Sequence, residues 1–295
     1  TSHAPRETFA AVLPPPAIEP PRAEAIPAPP ETVSYGVAFA RHTPLSVTPE
    51  IKTLSNIDLP ISAVIALAKN LSNGEALVEK EPAKRWAIAS LTKLMTALVI
   101  TEAWDANKKI TIAEHALAAE GTAGNFERGE VYRASELVSA MLLSSSNDAA
   151  QALADAYGND ALVDAMQMKA RTLGMENTTF ADVTGISYLN QSTARDLELL
   201  ARYLFEKHPQ ILRDTAYGEV TLTELKTGKQ RAVVSIHPFA RRPHFLGGKT
   251  GYTDEARGNL ISLFAVGDRI IFVVVLGSAD RTKDTTLLYD FITGS

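Results

Sequence analysis

The sequence predicts an α/β fold: a five-stranded antiparallel sheet flanked by helices, with a helical lobe packed beside it. Three observations predict this. Strand-like segments stand early and late in the chain with helix-like segments between them, so one sheet must be assembled from both ends around a helical insertion. The segment Ile270 to Leu276 is an unbroken apolar run rich in β-branched residues. It is far too short for a membrane span, which needs ~20 residues, and suits a buried strand. Finally, 295 residues with 45% apolar and 21% charged content can bury a sizeable core.

In chain order, 62–69 and 76–81 read as two strands joined by the turn Ser72-Asn73-Gly74. A helix is predicted from Ser90 to about 103, with Leu91, Leu94, Met95, Leu98 and Val99 forming its apolar stripe. Helices follow at 134–143, 148–157, 160–173 and 192–206. Strands return at 218–224, 230–236, 245–253, 258–266 and 269–277, before a last amphipathic helix at 282–293. The cleft between sheet and lobe is the expected place for a site.

Of 16 prolines, 9 lie in the first 30 residues. Residues 1–31 therefore read as a Pro-rich disordered linker that favours extended polyproline II and packs no core, either a spacer or an inert tail. Residues 32–60 form an extended lead-in, and 61–295 the catalytic domain. No charged segment followed by an apolar one stands at the front, so a signal or membrane anchor is expected upstream of Thr1 if one exists. The net charge of −5 gives no field to attract nucleic acid. The absence of cysteine excludes disulfides, thiol catalysis and cysteine-bound metals. The six histidines show no ligand spacing, and no metal is expected.

Three short motifs carry chemistry. In Ser90-Leu91-Thr92-Lys93, the lysine lies on the serine's face among apolar neighbours, where desolvation lowers its pKa and lets it take a hydroxyl proton. Taken alone, the same residues also read as an N-cap serine with a solvated lysine. In Ser145-Ser146-Asn147-Asp148, a hydroxyl and an amide two residues apart at a helix junction can both face a cleft; alone, they also read as a helix cap. In Lys249-Thr250-Gly251, a lysine and a hydroxyl on a strand edge suit a carboxylate, and the glycine permits close backbone approach. This is no phosphate loop, because Pro243 stands where that pattern needs glycine. A second copy, Lys226-Thr227-Gly228, reads as a hairpin turn. Ser-x-x-Lys and Ser-x-Asn each occur once, and the order Ser-x-x-Lys, Ser-x-Asn, Lys-Thr-Gly is that of penicillin-interacting serine enzymes.

The sequence resembles the low-molecular-mass penicillin-binding proteins, D-alanyl-D-alanine carboxypeptidases, from about Ser62 to Leu288. Beyond the three motifs, the resemblance is carried by Trp86 to Ala97, Phe126 to Tyr132, Met141 to Ala150, Ser192 to Asp196 and Gly248 to Thr253. It implies the penicillin-binding protein and β-lactamase-like transpeptidase fold. It also implies Ser90 as acylated nucleophile, Lys93 as its base, and Ser145 and Lys249 in a proton relay. Asn147 would hold the substrate amide and Thr250 the terminal carboxylate. The Ser90 and Tyr252 backbone N–H groups would form the oxyanion hole, with Gly251 and Thr253 beside them. The implied substrate is a peptidoglycan stem peptide, the implied covalent inhibitors are β-lactam antibiotics, no cofactor is required, and the location is extracytoplasmic.

Two departures stand out. Asp182 replaces the usual Asn of a Thr-Phe-x-Asn pattern, and Arg257 stands where many relatives have Gly. Arg257 reads either as a cleft residue binding the carboxylate or as a solvated hairpin arginine. A D,D-endopeptidase uses the same motifs. A class A β-lactamase shares fold and motif order, but the middle residue here is Ser146 and no Glu-x-x-Leu-Asn segment is present. A non-catalytic wall-binding module would be expected to show a broken motif set.

Overall fold

The computed structural model describes residues 54–55, 59–121 and 124–294. The Pro-rich segment 1–31 and most of the lead-in lie outside them.

The central sheet holds the five antiparallel strands expected, from both ends of the chain. Their order is Ala76–Lys80, Ile65–Asn70, Arg269–Ser278, Arg257–Val266 and Phe245–Thr253. A two-residue strand, Leu54–Ser55, adds to it in parallel beside Ala76–Lys80. The apolar run at 270–276 is a central strand, and its alternation explains the run. Phe272, Val274 and Leu276 face the core shared with the helical lobe, while Ile271, Val273 and Val275 face Leu288 and Ile292 of the last helix, Arg281–Thr293. Both faces being covered, neither register position needs a polar residue.

The helical lobe follows the predicted segments closely: Ala134–Leu143, Asn147–Tyr157, Asn159–Thr172 and Ala194–Lys207. Sequence reading missed the helix Pro209–Ala216 and the short pair Lys109–Thr111 with Val131–Arg133. The former is only two turns long, and the latter are three-residue strands too short for a period-2 signal.

The helix predicted from Ser90 differs in detail. Ala89–Thr92 is a 3-10 turn, and the α-helix runs only over Lys93–Ala103. Every residue from Lys93 to Ile100 is buried, so the apolar stripe is part of a wholly enclosed central helix. Two ties hold the residues just before the 3-10 turn to the sheet. The Trp86 indole donates to the Ala256 carbonyl at 2.8 Å, and the buried Asn259 amide donates to the Ala87 carbonyl at 2.9 Å. Asn259 also accepts from the Gly277 amide at 3.0 Å. At the far end, Asp284 accepts from the Ser62 amide, the Ser62 hydroxyl and the Ser278 hydroxyl, locking the last helix to the start of the fold.

Candidate active site

The 3-10 turn decides the geometry of the first motif. With three residues per turn, positions i and i+3 eclipse, and Lys93 Nζ lies 3.1 Å from Ser90 Oγ. Lys93 is fully enclosed, yet its amine is satisfied: it also donates to Asn147 Oδ1 at 2.6 Å and to the Thr184 carbonyl at 2.6 Å. Burial pushes this amine down to about 7, against an upward pull from Asp182. The reading as a solvated lysine is thereby overturned.

The second motif divides its labour. Ser146, not Ser145 or Asn147, caps the helix Asn147–Tyr157 by accepting from the Ala149 amide at 3.1 Å. Ser145 takes a left-handed backbone (φ 61°), a conformation disfavoured for a serine and held by the helices on either side. Its Oγ accepts from Lys249 Nζ at 3.0 Å. Asn147 turns its carbonyl to Lys93, and its amide nitrogen donates to the Glu120 carbonyl.

The third motif lies on the edge strand Phe245–Thr253. Lys249 is buried, donates to the Thr250 carbonyl at 2.8 Å, and is pushed well below its ordinary value by burial, with Lys93 and Arg281 adding repulsion. The second Lys-Thr-Gly copy is the expected hairpin turn, in which Glu224 accepts from the Lys226 and Thr227 amides. Gly251 is needed for a reason the sequence did not show. A Cβ there would stand 2.8 Å from the Ile88 carbonyl and 3.3 Å from the Ser90 and Leu91 amides, so the glycine lets the strand lie directly on the nucleophile turn.

Ser90, Lys93, Ser145, Asn147, Lys249 and Thr250 thus converge. Tyr252 is exposed, with its hydroxyl donating to Asp254 at 3.2 Å. Thr253 caps the hairpin by accepting from the Ala256 amide at 3.1 Å, and Arg257 is exposed opposite it with φ 56°. The guanidinium beside the cluster belongs instead to Arg281, which donates to the Gly251 carbonyl at 2.5 Å. Sequence reading missed Arg281 because it is 30 residues away, at the start of the last helix. It singled out Asp182 only as a departure from a family pattern and missed the loop 183–190 that follows it. Gly185 there (φ 87°) packs on the nucleophile turn so tightly that a Cβ would meet the Ala89 carbonyl at 2.0 Å. The local signal was available in Asp182-x-Thr184, since Asp side chains accept from backbone two residues on.

A serine hydroxyl thus lies within hydrogen-bond reach of a buried amine, at the junction of an antiparallel sheet and a helical lobe, an arrangement that suits nucleophilic catalysis. The family described as D-alanyl-D-alanine carboxypeptidase matches residues 52–280, and the chain belongs to it. It is 32% identical over 246 residues to the D-alanyl-D-alanine carboxypeptidase DacF of Bacillus subtilis, covering 79% of this chain but 63% of that one, less than two thirds of its length. It is 30% identical to the D-alanyl-D-alanine endopeptidase of Pseudomonas aeruginosa, covering 87% of this chain and 85% of that one. Among solved structures, a D-alanyl-D-alanine carboxypeptidase from Mycobacterium tuberculosis superposes with TM-score 0.74 at 26% identity, covering 82% of this chain and 95% of that one. Penicillin-binding protein D2 from Listeria monocytogenes, in its cefotaxime-bound form, gives 0.72 at 31% identity, covering 80% and 99%.

Proposed function

We propose that this chain is a serine D,D-peptidase that cleaves the terminal D-Ala–D-Ala bond of peptidoglycan stem peptides through an acyl-enzyme on Ser90, with the catalysis carried by residues 61–295. One observation supports this most: a fully buried amine, its pKa lowered to about 7 by burial, 3.1 Å from a serine hydroxyl.

In the proposed reaction, Lys93 Nζ takes the Ser90 proton as Oγ attacks the penultimate D-Ala carbonyl. The Ser90 and Tyr252 amides receive the oxyanion. The C–N bond breaks, and the leaving D-Ala nitrogen takes a proton relayed through Ser145 and Lys249. Water then hydrolyses the ester by the reverse proton path. Asn147 orients the substrate amide, and the Thr250 hydroxyl meets the terminal carboxylate. β-Lactams would acylate the same serine, and the Listeria relative with bound cefotaxime supports that expectation. Because no deacylating glutamate is recognisable in the sequence, the penicilloyl adduct should be long-lived. A substrate in the wall calls for an extracytoplasmic location, with residues 1–31 as spacer. No helix among the described residues is long and apolar enough to cross a membrane.

The test is labelling with a fluorescent penicillin, read by gel and intact mass. Wild type should carry one adduct and Ser90→Ala none; an unlabelled wild type or a labelled mutant would sink the assignment. Release of D-Ala from a stem pentapeptide then reads carboxypeptidase activity. The near-complete coverage of the Pseudomonas endopeptidase favours a second reading, cleavage of D-Ala–diaminopimelate cross-links, and a cross-linked dimer substrate separates the two.

A further inference from the structure

Asp182 makes no contact with Ser90 or Lys93, yet it organises what does. Its Oδ1 accepts from the Thr184 amide and hydroxyl, both at 2.7 Å, and from the Gly185 amide at 2.6 Å. Its Oδ2 accepts from the Ser187 amide at 2.8 Å and from Asn190 Nδ2 at 2.6 Å. Asn190, itself fully buried, closes the loop from the other side by accepting from the Ala181 amide at 2.9 Å. The segment pinned in this way delivers two backbone groups to the nucleophile. The Thr184 carbonyl accepts from Lys93 Nζ, and Gly185 lies against the Ala89 carbonyl and Ser90 amide.

We infer that Asp182 is a positioning residue for the Ser90–Lys93 pair: its carboxylate pins the loop that holds the Thr184 carbonyl on the lysine amine and Gly185 against the Ser90 turn, and it brings a negative charge into the surroundings of that amine. The inference rests on the reading of Lys93 as the base.

The surrounding charges support it. Burial pushes Asp182 upward, but hydrogen bonds from Thr184, Ser187 and Gly185 outweigh it and hold the carboxyl below its usual range, so it is ionised near neutral pH. Burial lowers the Lys93 amine, and Asp182 is the group that opposes this. From the edge strand, Lys249 faces Lys93 as a second amine, and their mutual repulsion falls on Lys249. The helix Asn147–Tyr157 offers the neutral Asn147 amide, while Asp148 beside it turns its carboxylate to the Gly124 amide at 2.7 Å. Without Asp182, burial would act on Lys93 unopposed, and a lone buried amine gives up its proton at lower pH.

The test compares wild type, Asp182→Asn and the swap Asp182→Asn/Asn190→Asp. Two readouts are used: NMR titration of the Lys93 amine, and the pH profile of acylation by a fluorescent penicillin. In Asp182→Asn, the Lys93 midpoint should fall by roughly half a pH unit or more, and the acid limb of acylation should move down with it. The alkaline plateau should drop as well, because an amide has a single acceptor oxygen and cannot serve both the Thr184–Gly185 side and the Ser187–Asn190 side. The swap keeps a carboxylate one contact further from Lys93, so its midpoint should lie between the other two, with most of the plateau restored. A Lys93 midpoint unmoved or raised, in whichever variant folds, overturns the inference. A purely structural Asp182 would lower melting temperature and plateau while leaving the midpoint in place. The NMR readout does not depend on turnover, so an unacylated wild type would count against the serine-peptidase reading while Asp182 is still judged.

Discussion

Ser90 and Lys93 face each other at 3.1 Å because the backbone between them is a 3-10 turn and not α-helix. Full burial then lowers the pKa of the Lys93 amine to about 7, while three hydrogen bonds donated by Nζ aim it. On the proposed reading, the pair is arranged as nucleophile and base before any substrate arrives. Acylation by a β-lactam should be slow below pH 6, rise through about pH 7 and level off above. The sign follows from the base being the deprotonated amine, whose population grows with pH. Lys93→Met should abolish the limb and lower acylation by at least about 100-fold, the usual worth of a positioned base. Stopped-flow acylation across pH checks both; a flat profile would remove Lys93 from the role.

Ser145 and Ser146 are adjacent but do different jobs, so two alanine substitutions should separate them. Ser146→Ala loses the cap on Asn147–Tyr157 and should cost about 1 kcal/mol of stability, with acylation retained within a few-fold. Ser145→Ala removes the hydroxyl between Lys249 and the cleft and should reduce acylation by about 100-fold with little change in melting temperature. Denaturant unfolding and acylation rates on the same samples read the contrast.

Gly251 supports the strand against the nucleophile turn. Gly251→Ala would push its Cβ onto the Ile88 carbonyl at 2.8 Å, and backbone on both sides leaves little room to yield. Acylation should fall roughly 10- to 100-fold through misplacement of Ser90 relative to the edge strand. A variant with wild-type acylation rates would show that the turn and strand can part without cost.

His237 should shape acid stability. Burial, with Lys249 and Arg281 as further repulsion against one opposing hydrogen bond, pushes its imidazole down to about 3. It stacks on Phe245 with ring centroids 4.4 Å apart. Nε2 lies 3.0 Å from the Ile261 carbonyl, and Nδ1 accepts from the Phe239 amide at 3.3 Å, so the neutral ring satisfies both partners. The unfolded histidine binds its proton near pH 6.5 and the folded one does not. Stability is therefore lost as pH falls from about 6.5 toward 3, by up to about 5 kcal/mol. His237→Gln should flatten that part of the stability curve, measured by denaturant unfolding between pH 7 and pH 4. An unchanged slope would assign the acid sensitivity elsewhere.

Much of the fold was legible because its signals are local. The run at 270–276 reads as a strand, and the helix Ala134–Leu143 shows its limits, from residues and spacing alone. Pro209–Ala216 was not legible, since two turns carry too few periodic positions. Ser90, Lys93, Ser145, Asn147, Lys249 and Thr250 could be named because their motifs are short and ordered. Arg281 could not, and Asp182 showed only as a departure from a family pattern, since their importance comes from what folding places beside them.

By itself, the sequence determined the strand–helix–strand order, the buried central strand, the three motifs and hence the family. Those properties depend on residue type and near-neighbour spacing. Only the tertiary structure decided that Lys93 is enclosed with its pKa lowered to about 7, that Ser146 supplies the cap while Ser145 meets Lys249, that Arg281 and not Arg257 stands beside the cluster, and that Asp182 pins the loop that reaches Lys93. A pKa, a cap and a guanidinium's reach depend on what surrounds a group in space, and distant segments bring those surroundings together only when the chain folds.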